Sequence, residues 1–217
     1  MILSRTVNRM RSALSRFEKR EDGVAAIEFA FIAPLLVVFL VGTTTATQSL
    51  WAHGKIAQTS SVVGDLISQE NEVDNTSFGS IMKAGPVLIE PFPVSDLTVS
   101  VIAAIACHQN PNDTENSIPK IFVAWSNGWA GGNVTNSGPQ PGSLLANAPT
   151  DLSIKDGDYI IKTEVTYTYK PPISQTAGHT VPMNEIAYHQ PRDQSPVSYP
   201  TREGNADTRN CNKLMNR

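Results

Sequence analysis

The sequence predicts an α+β fold in which an N-terminal transmembrane helix continues into a soluble helix packed on a small antiparallel sheet. Three observations predict it. From Val24 to Gly42 (VAAIEFAFIAPLLVVFLVG) the only ionisable residue is Glu28. Beyond that run, Ala52, Ile56, Thr59, Val63 and Leu66 or Ile67 recur at three- and four-residue steps, the period of a helix with one buried face. Two later runs, DLTVSVIAAIA at Asp96 to Ala106 and YIIKTEVTYTYK at Tyr159 to Lys170, are rich in branched residues and alternate as half-buried strands do.

The apolar run comes first. At about 1.5 Å per residue it rises roughly 28 Å, close to the hydrocarbon thickness of a bilayer. Thr43 to Thr47 lengthen it to a comfortable span. Its apolar residues lie all round the helix, whereas a buried helix of a soluble protein would carry them on one stripe. Arg5, Arg9, Arg11, Arg16, Lys19 and Arg20 precede it, and no Lys or Arg follows until Lys55. The positive-inside rule therefore assigns residues 1–22 to a basic cytoplasmic leader, 23–47 to the transmembrane helix and 48–217 to an extracytoplasmic α+β domain with long loops. A cleavable secretory signal, cut near Thr44-Thr45-Ala46, is the competing reading, although such signals have apolar regions of only about 7–15 residues.

Glu28 is the anomaly within the run. A carboxylate at the centre of a span costs about 2.5–3.5 kcal/mol on insertion scales, and less near an end. Glu28 follows Gly23 by five residues, a rise of about 7.5 Å, so its cost is moderate. If the chain were cut after Gly23, the new amino group of Val24 would lie four residues before Glu28, a spacing at which opposite charges meet on one helix or across a packed pair. Pro34 would free the carbonyl of Ala30 and kink the helix, a change that membrane helices tolerate when neighbouring groups compensate.

A basic leader ending in Gly23, an apolar stretch, Glu28-Phe29-Ala30 and Pro34 inside the span resemble the N-terminal signature of the TadE/TadG-like family, minor pilin-like proteins of Tad (Flp) pilus systems. The resemblance covers about 20–25 residues at the start of the span. It implies a pilin-like architecture, in which one long helix sits partly in lipid and partly against a sheet. It also implies a prepilin-type leader cut between Gly23 and Val24, and assembly contacts at Glu28, Phe29 and Pro34. Phe29 stands where the related major pilins usually have Tyr, and Thr43 to Gln48 replaces an acidic residue common at this exit.

Further along, Phe78 to Val87 reads as a short helix ended by Gly85-Pro86, and Ile121 to Trp125 as a second strand. In the Tyr159 run, Tyr159, Ile161, Thr163, Val165, Tyr167 and Tyr169 take one side and Lys162, Glu164, Thr166 and Thr168 the other. The family resemblance also implies a proline pair after such a strand, matched by Pro171-Pro172. Trp125 to Pro149 is dense in Gly, Asn, Ser and Pro. It is expected to be a hairpin around Asn127-Gly128 or an exposed binding loop, with Trp129 either a contact residue or folded back on the core. The tail from Gln190 reads as weakly ordered except where Cys211 pins it.

Cys107 and Cys211 are the only cysteines, and on the outer side of a membrane an even count favours a disulfide. Neither has ligand partners at metal spacing, so no metal or other cofactor is expected. His53, His108, His179 and His189 are scattered, no hydrolase or phosphate-loop motif occurs, and Asp156-Gly157-Asp158 resembles a turn more than a calcium loop. No enzyme activity is expected. A net charge of −3, a near-neutral balance rather than a basic face, argues against nucleic-acid binding. The resulting expectation is a single-pass protein of the bacterial inner membrane, its C-terminal domain periplasmic or carried into an extracellular pilus. Its expected role is structural or in assembly, with other pilus or secretion-system subunits, the membrane and a prepilin-type leader peptidase as partners. A membrane-tethered ligand-binding or sensor domain using the 125–149 loop is the alternative.

Overall fold

Helix α1 (Asp22–Ser68) is one continuous element of 47 residues, about 70 Å of rise. It belongs to a computed structural model that describes residues 22–108, 119–135, 137–146, 148, 154–171, 180–192, 196–200 and 210–215. The basic leader up to Glu21, Pro172 and His179 lie outside the described residues. The chain divides into two compact units, Met1–Gln48 and Ser49–Arg217.

In the first unit the described chain is helix alone, and its large side chains are exposed from Val24 to Leu40. In the second unit the helix becomes striped. Ala52, Ile56, Val63 and Ile67 are all fully buried, as the periodicity predicts, and Ile67 rather than Leu66 takes the last position. After Ser68 the chain turns into α2 (Asn75–Met82), whose start is fixed by a capping box. Asp74 Oδ1 accepts from the amides of Thr76 and Ser77, while Ser77 Oγ accepts from the Asp74 amide. These bonds hold the Asp74 carboxyl below the usual carboxylate range.

Helix α3 (Ala84–Ile89) corrects the expectation that Gly85-Pro86 ends a helix. The helical run breaks earlier, at Lys83, and Pro86 becomes the third residue of a new helix. Amides in the first turn have no intrahelical acceptor, so a proline there forfeits no bond.

The sheet has five strands in the order β3-β2-β1-β4-β5, and every neighbouring pair is antiparallel. The strands are β1 (Leu97–Cys107), β2 (Lys120–Ala130), β3 (Asn133–Thr135), β4 (Tyr159–Tyr169) and β5 (Val181–His189). Strand β1 is central and buried on both faces. One face joins Val99, Val101 and Ala103 to Ile161, Val165 and Tyr167 of β4, to Trp125 and Trp129 of β2, and to Ile56, Val63 and Ile67 of α1. The opposite face buries Ile102, Ala104, Ile121, Val123 and Ile160 beneath Leu145 and Ile154. Each fully buried Val, Ile or Leu contributes about 1.5–3 kcal/mol, so covering both faces roughly doubles what the central strand supplies.

Two expectations about the Trp125 to Pro149 stretch are overturned. The stretch from Trp125 to Ala130 is strand, not loop, and the hairpin turns at Gly131-Gly132 rather than at Asn127-Gly128. Both turning glycines have positive φ, 56° and 93°, the backbone a tight two-residue hairpin requires. Trp129 is buried in the core, and residues 140–145 return along β2, with Leu145 donating its amide to Ile121. The pattern was hidden by a bulge: Ala103 opposes Trp125 but Ala104 opposes Val123, so Ala124 is an extra residue and the alternation changes phase there. Asn136, Asn147 and Pro149 of this stretch lie outside the described residues.

Two residues of the tail, Val197 and Tyr199, are likewise part of the core. Trp125 Nε1 donates to the Val197 carbonyl at 2.7 Å, and the Tyr199 ring meets Trp125 edge-on at 5.2 Å and stacks on Phe78 at 6.0 Å. Tyr199 Oη accepts from Asn127 Nδ2 and donates to Asn75 Oδ1, both at 2.7 Å. Two apolar residues in a polar stretch are too few to show a period. Farther on, Cys107 and Cys211 are bridged, with Cα atoms 5.3 Å apart, joining the end of β1 to α4 (Cys211–Met215). Leu214 is buried beside Ile105 and Phe122. In the chain-entropy model, closing so long a loop stabilises by about 4–5 kcal/mol.

Tyr199→Phe should keep the ring contacts but leave the fully buried Asn127 amide without its acceptor. The expected cost is about 1–3 kcal/mol, and thermal melts of the detergent-solubilised chain should show Tm falling by about 2–4 °C for each kcal/mol. An unchanged Tm would mean the hydroxyl network contributes nothing.

Candidate assembly helix

Eleven large apolar side chains between Val24 and Leu40 are exposed, from Val24 at 58% and Phe31 at 79% to Phe39 at 70%. They lie on every side of α1, and the helix is long and apolar enough to cross a membrane. Such a surface is far beyond the apolar patches that soluble monomers leave in water, so lipid or other apolar helices must cover it.

The polar groups of this segment divide into two kinds. Thr43 Oγ1 donates to the carbonyls of Phe39 and Leu40, Thr44 Oγ1 to those of Leu40 and Val41, and Thr47 Oγ1 to that of Thr43, all at 2.9 Å. Hydroxyls satisfied by their own helix can enter an apolar medium. Glu28 differs: it is exposed, and among the described residues nothing bonds to its carboxylate. Gly23 and Val24 lie in the first turns of α1, Phe29 is 67% exposed, and Pro34 stands inside the unbroken helix.

Residues 23–63 match the family model described as TadE-like protein. This stretch is a TadE-like domain. It contains Gly23, Glu28, Phe29 and Pro34, and runs past Gln48 into the striped half of α1 as far as Val63. No curated protein and no solved structure is similar enough to the chain to be matched to it. A TadE-like domain supports a component associated with a Tad pilus, working with other components of that system. The apolar helix ahead of the sheet suits membrane anchoring.

In the second unit the ionisable residues act mainly as fasteners. Asp156 Oδ1 accepts the His108 amide, Asp158 Oδ2 accepts the Lys155 amide, and Gly157 between them has a φ of 85°. Both carboxylates thus hold a turn against the end of β1, as the sequence suggests. His53 Nε2 meets Glu185 on β5 at 3.0 Å. Lys162, on the face of β4 opposite Ile161, is buried, with its ammonium 3.0 Å from Glu164.

One cluster was not legible in advance. Gly64, one residue beyond the TadE-like match, lets α1 approach the sheet so closely that an added Cβ would collide with the imidazole of His189 and lie 2.9 Å from Thr163 Oγ1. His189 Nδ1 and Thr163 Oγ1 are buried without a hydrogen-bond partner among the described residues. Burial pushes the His189 imidazole below its usual value, opposed by the nearby Asp65 carboxylate, which itself binds Arg192 at 2.8 Å. A lone glycine in a helical pattern carries no sign of such an approach.

The sign of the pH dependence follows. The unfolded chain takes up a proton at His189 near the ordinary value of 6.5, which the folded chain resists. This group therefore subtracts nothing above that pH and costs stability as the pH falls through 6.5 toward the depressed folded value. Asp65 and Asp74, with carboxyls held low, lose their contributions only at more acid pH. Thermal melts should show a lower Tm at pH 5.5 than at 7.5, with the difference reduced in His189→Asn (pH values chosen about one unit either side of the ordinary histidine range). Identical pH profiles for the two chains would remove His189 as the cause.

Proposed function

We propose that the chain is a minor pilin-like structural or assembly component of a Tad-type pilus or related secretion machine, joined to its partners through the N-terminal apolar helix. The observation that supports this most strongly is the TadE-like segment itself: apolar side chains exposed all round, with one carboxylate near its start that has no partner among the described residues. On this reading residues 1–22 are a cytoplasmic leader, 23–47 span the inner membrane and 48–217 lie in the periplasm or on the assembled pilus. A prepilin-type leader peptidase cuts between Gly23 and Val24. Glu28 then registers the helix, because its carboxylate is satisfied by the freed Val24 amine of its own or a neighbouring subunit, and wrong registers leave it unpaired. Phe29 and Pro34 shape the packing surface beside it. The alternative, a tethered sensor using the 125–149 loop, has no observation in its favour, since Trp129 is a core residue.

Two experiments test this reading. Glu28→Ala should insert into the membrane as well as the natural chain yet fail to support pilus assembly or to co-purify with pilus subunits. Glu28→Gln, which keeps the shape without the charge, should fail as well if an ion pair is needed. A Glu28→Ala chain that assembles at the natural level would reduce the carboxylate to a tolerated residue.

For the topology, protease added to spheroplasts should remove the domain after residue 48 and spare the basic leader, as the one-sided Lys/Arg flank requires. Protection of that domain until the membrane is lysed would reverse the assignment.

A further inference from the structure

At the start of the second unit two large apolar residues point away from the core: Leu50 is 76% exposed and Trp51 52% exposed. Their neighbours in the next turns, Ala52 and Ile56, are fully buried, so this exposure is not a general looseness of the helix. The Trp51 ring is backed by an aromatic series. It meets Phe92 edge-on at 5.5 Å, and Phe92 meets Tyr169, the last residue of β4, edge-on at 5.8 Å. The indole is thus held on a rigid support while half its surface remains open.

We propose that Leu50 and Trp51, braced by Phe92, form an interfacial foot that seats the outer domain in the headgroup layer of a phospholipid bilayer. The proposal rests on the membrane-anchored reading above. Chain connectivity limits what else could cover the patch, because Trp51 follows Gln48 by three residues, about 4.5 Å of helix rise. The back-bonded hydroxyls of Thr43, Thr44 and Thr47 allow the hydrocarbon to extend to Gln48. A core of about 20 residues ending there begins at Phe29. That register leaves Glu28 at the headgroups of the opposite face and sets Leu50 and Trp51 at the near one, where an aromatic ring with one polar edge is favoured. Both ends of the span then fit one bilayer position.

The test uses tryptophan emission of the full chain in phosphatidylcholine vesicles whose acyl chains are brominated either close to the headgroup or close to the chain end. Trp125 and Trp129 are buried in the domain core and shielded from both quenchers. Wild-type emission should be lost more to the shallow bromines than to the deep ones, and Trp51→Phe should abolish that loss. A second chain, Trp51→Phe with Phe39→Trp, reports the span itself and should be quenched more by the deep bromines. If Phe39→Trp is quenched while wild-type Trp51 is not, and Trp51 is reached instead by aqueous iodide, the foot is overturned and the anchored reading stands. If neither is quenched, the span is not in the bilayer and both fail.

Discussion

A single helix that must serve two solvents is the constraint on which the structure depends. Where the medium is lipid, every backbone group has to be satisfied within the segment, so the chain stays helical from Asp22 through Ser68 with Pro34 as its only interior proline. Where the medium is a protein core, one stripe suffices. The change occurs within a few residues: Leu50 and Trp51 are exposed, Ala52 and Ile56 are fully buried, and the buried face continues through Val63 to Ile67. This stripe sets the register of the rest, since the helix must present Gly64 to His189 and Thr163 if it is to lie close to β4 and β5.

The sheet answers that constraint with closure from the C-terminal side. Strand β1 is buried on both faces, so it needs a cover opposite the helix, and the segment carrying Leu145 and Ile154 supplies one. The chain then closes the domain at two places. Tyr199 joins Asn75, within the capping box, to Asn127 in the middle of β2, and the Cys107–Cys211 bridge ties the far end of β1 to α4. Each closure links residues far apart in sequence: the covalent bridge restricts the unfolded chain, whereas the Tyr199 contacts have to offset the entropy of closing their own loop.

Elements with a long, regular pattern could be read from the sequence, and those whose meaning depends on a distant partner could not. The all-round apolar run, the α1 stripe, β1 and β4 and the paired cysteines carry their signal locally. The far half of β2 does not, because the bulge at Ala124 shifts its alternation and the Ser126-Asn127-Gly128 stretch looks like a turn. Asn127 is a strand residue only because Tyr199, 72 positions away, satisfies its amide. Strand β5 contains Pro182, which is tolerated at a sheet edge, and few branched residues, so nothing marks it as a strand until Tyr169 is placed opposite Val181. Within the TadE-like stretch, Gly23, Glu28, Phe29 and Pro34 stand out in the sequence because they form a spaced motif. Gly64 and His189 do not, because their significance is one close approach between two elements.

A division between span and core also bears on how such a subunit could change surroundings. Among the described residues none before Ala52 is buried, and the second unit has its own core, disulfide and Tyr199 network. On the proposed reading, replacing lipid by neighbouring helices is an exchange around residues 23–47, which belong to the first unit. The exchange would be decided within the span. There the apolar side chains find lipid tails and other helices nearly equivalent, whereas a carboxylate does not, because an unpaired charge in an apolar bundle is far costlier than one at the headgroups. On the proposed reading, the apolar residues make the helix transferable and Glu28 makes the transfer selective.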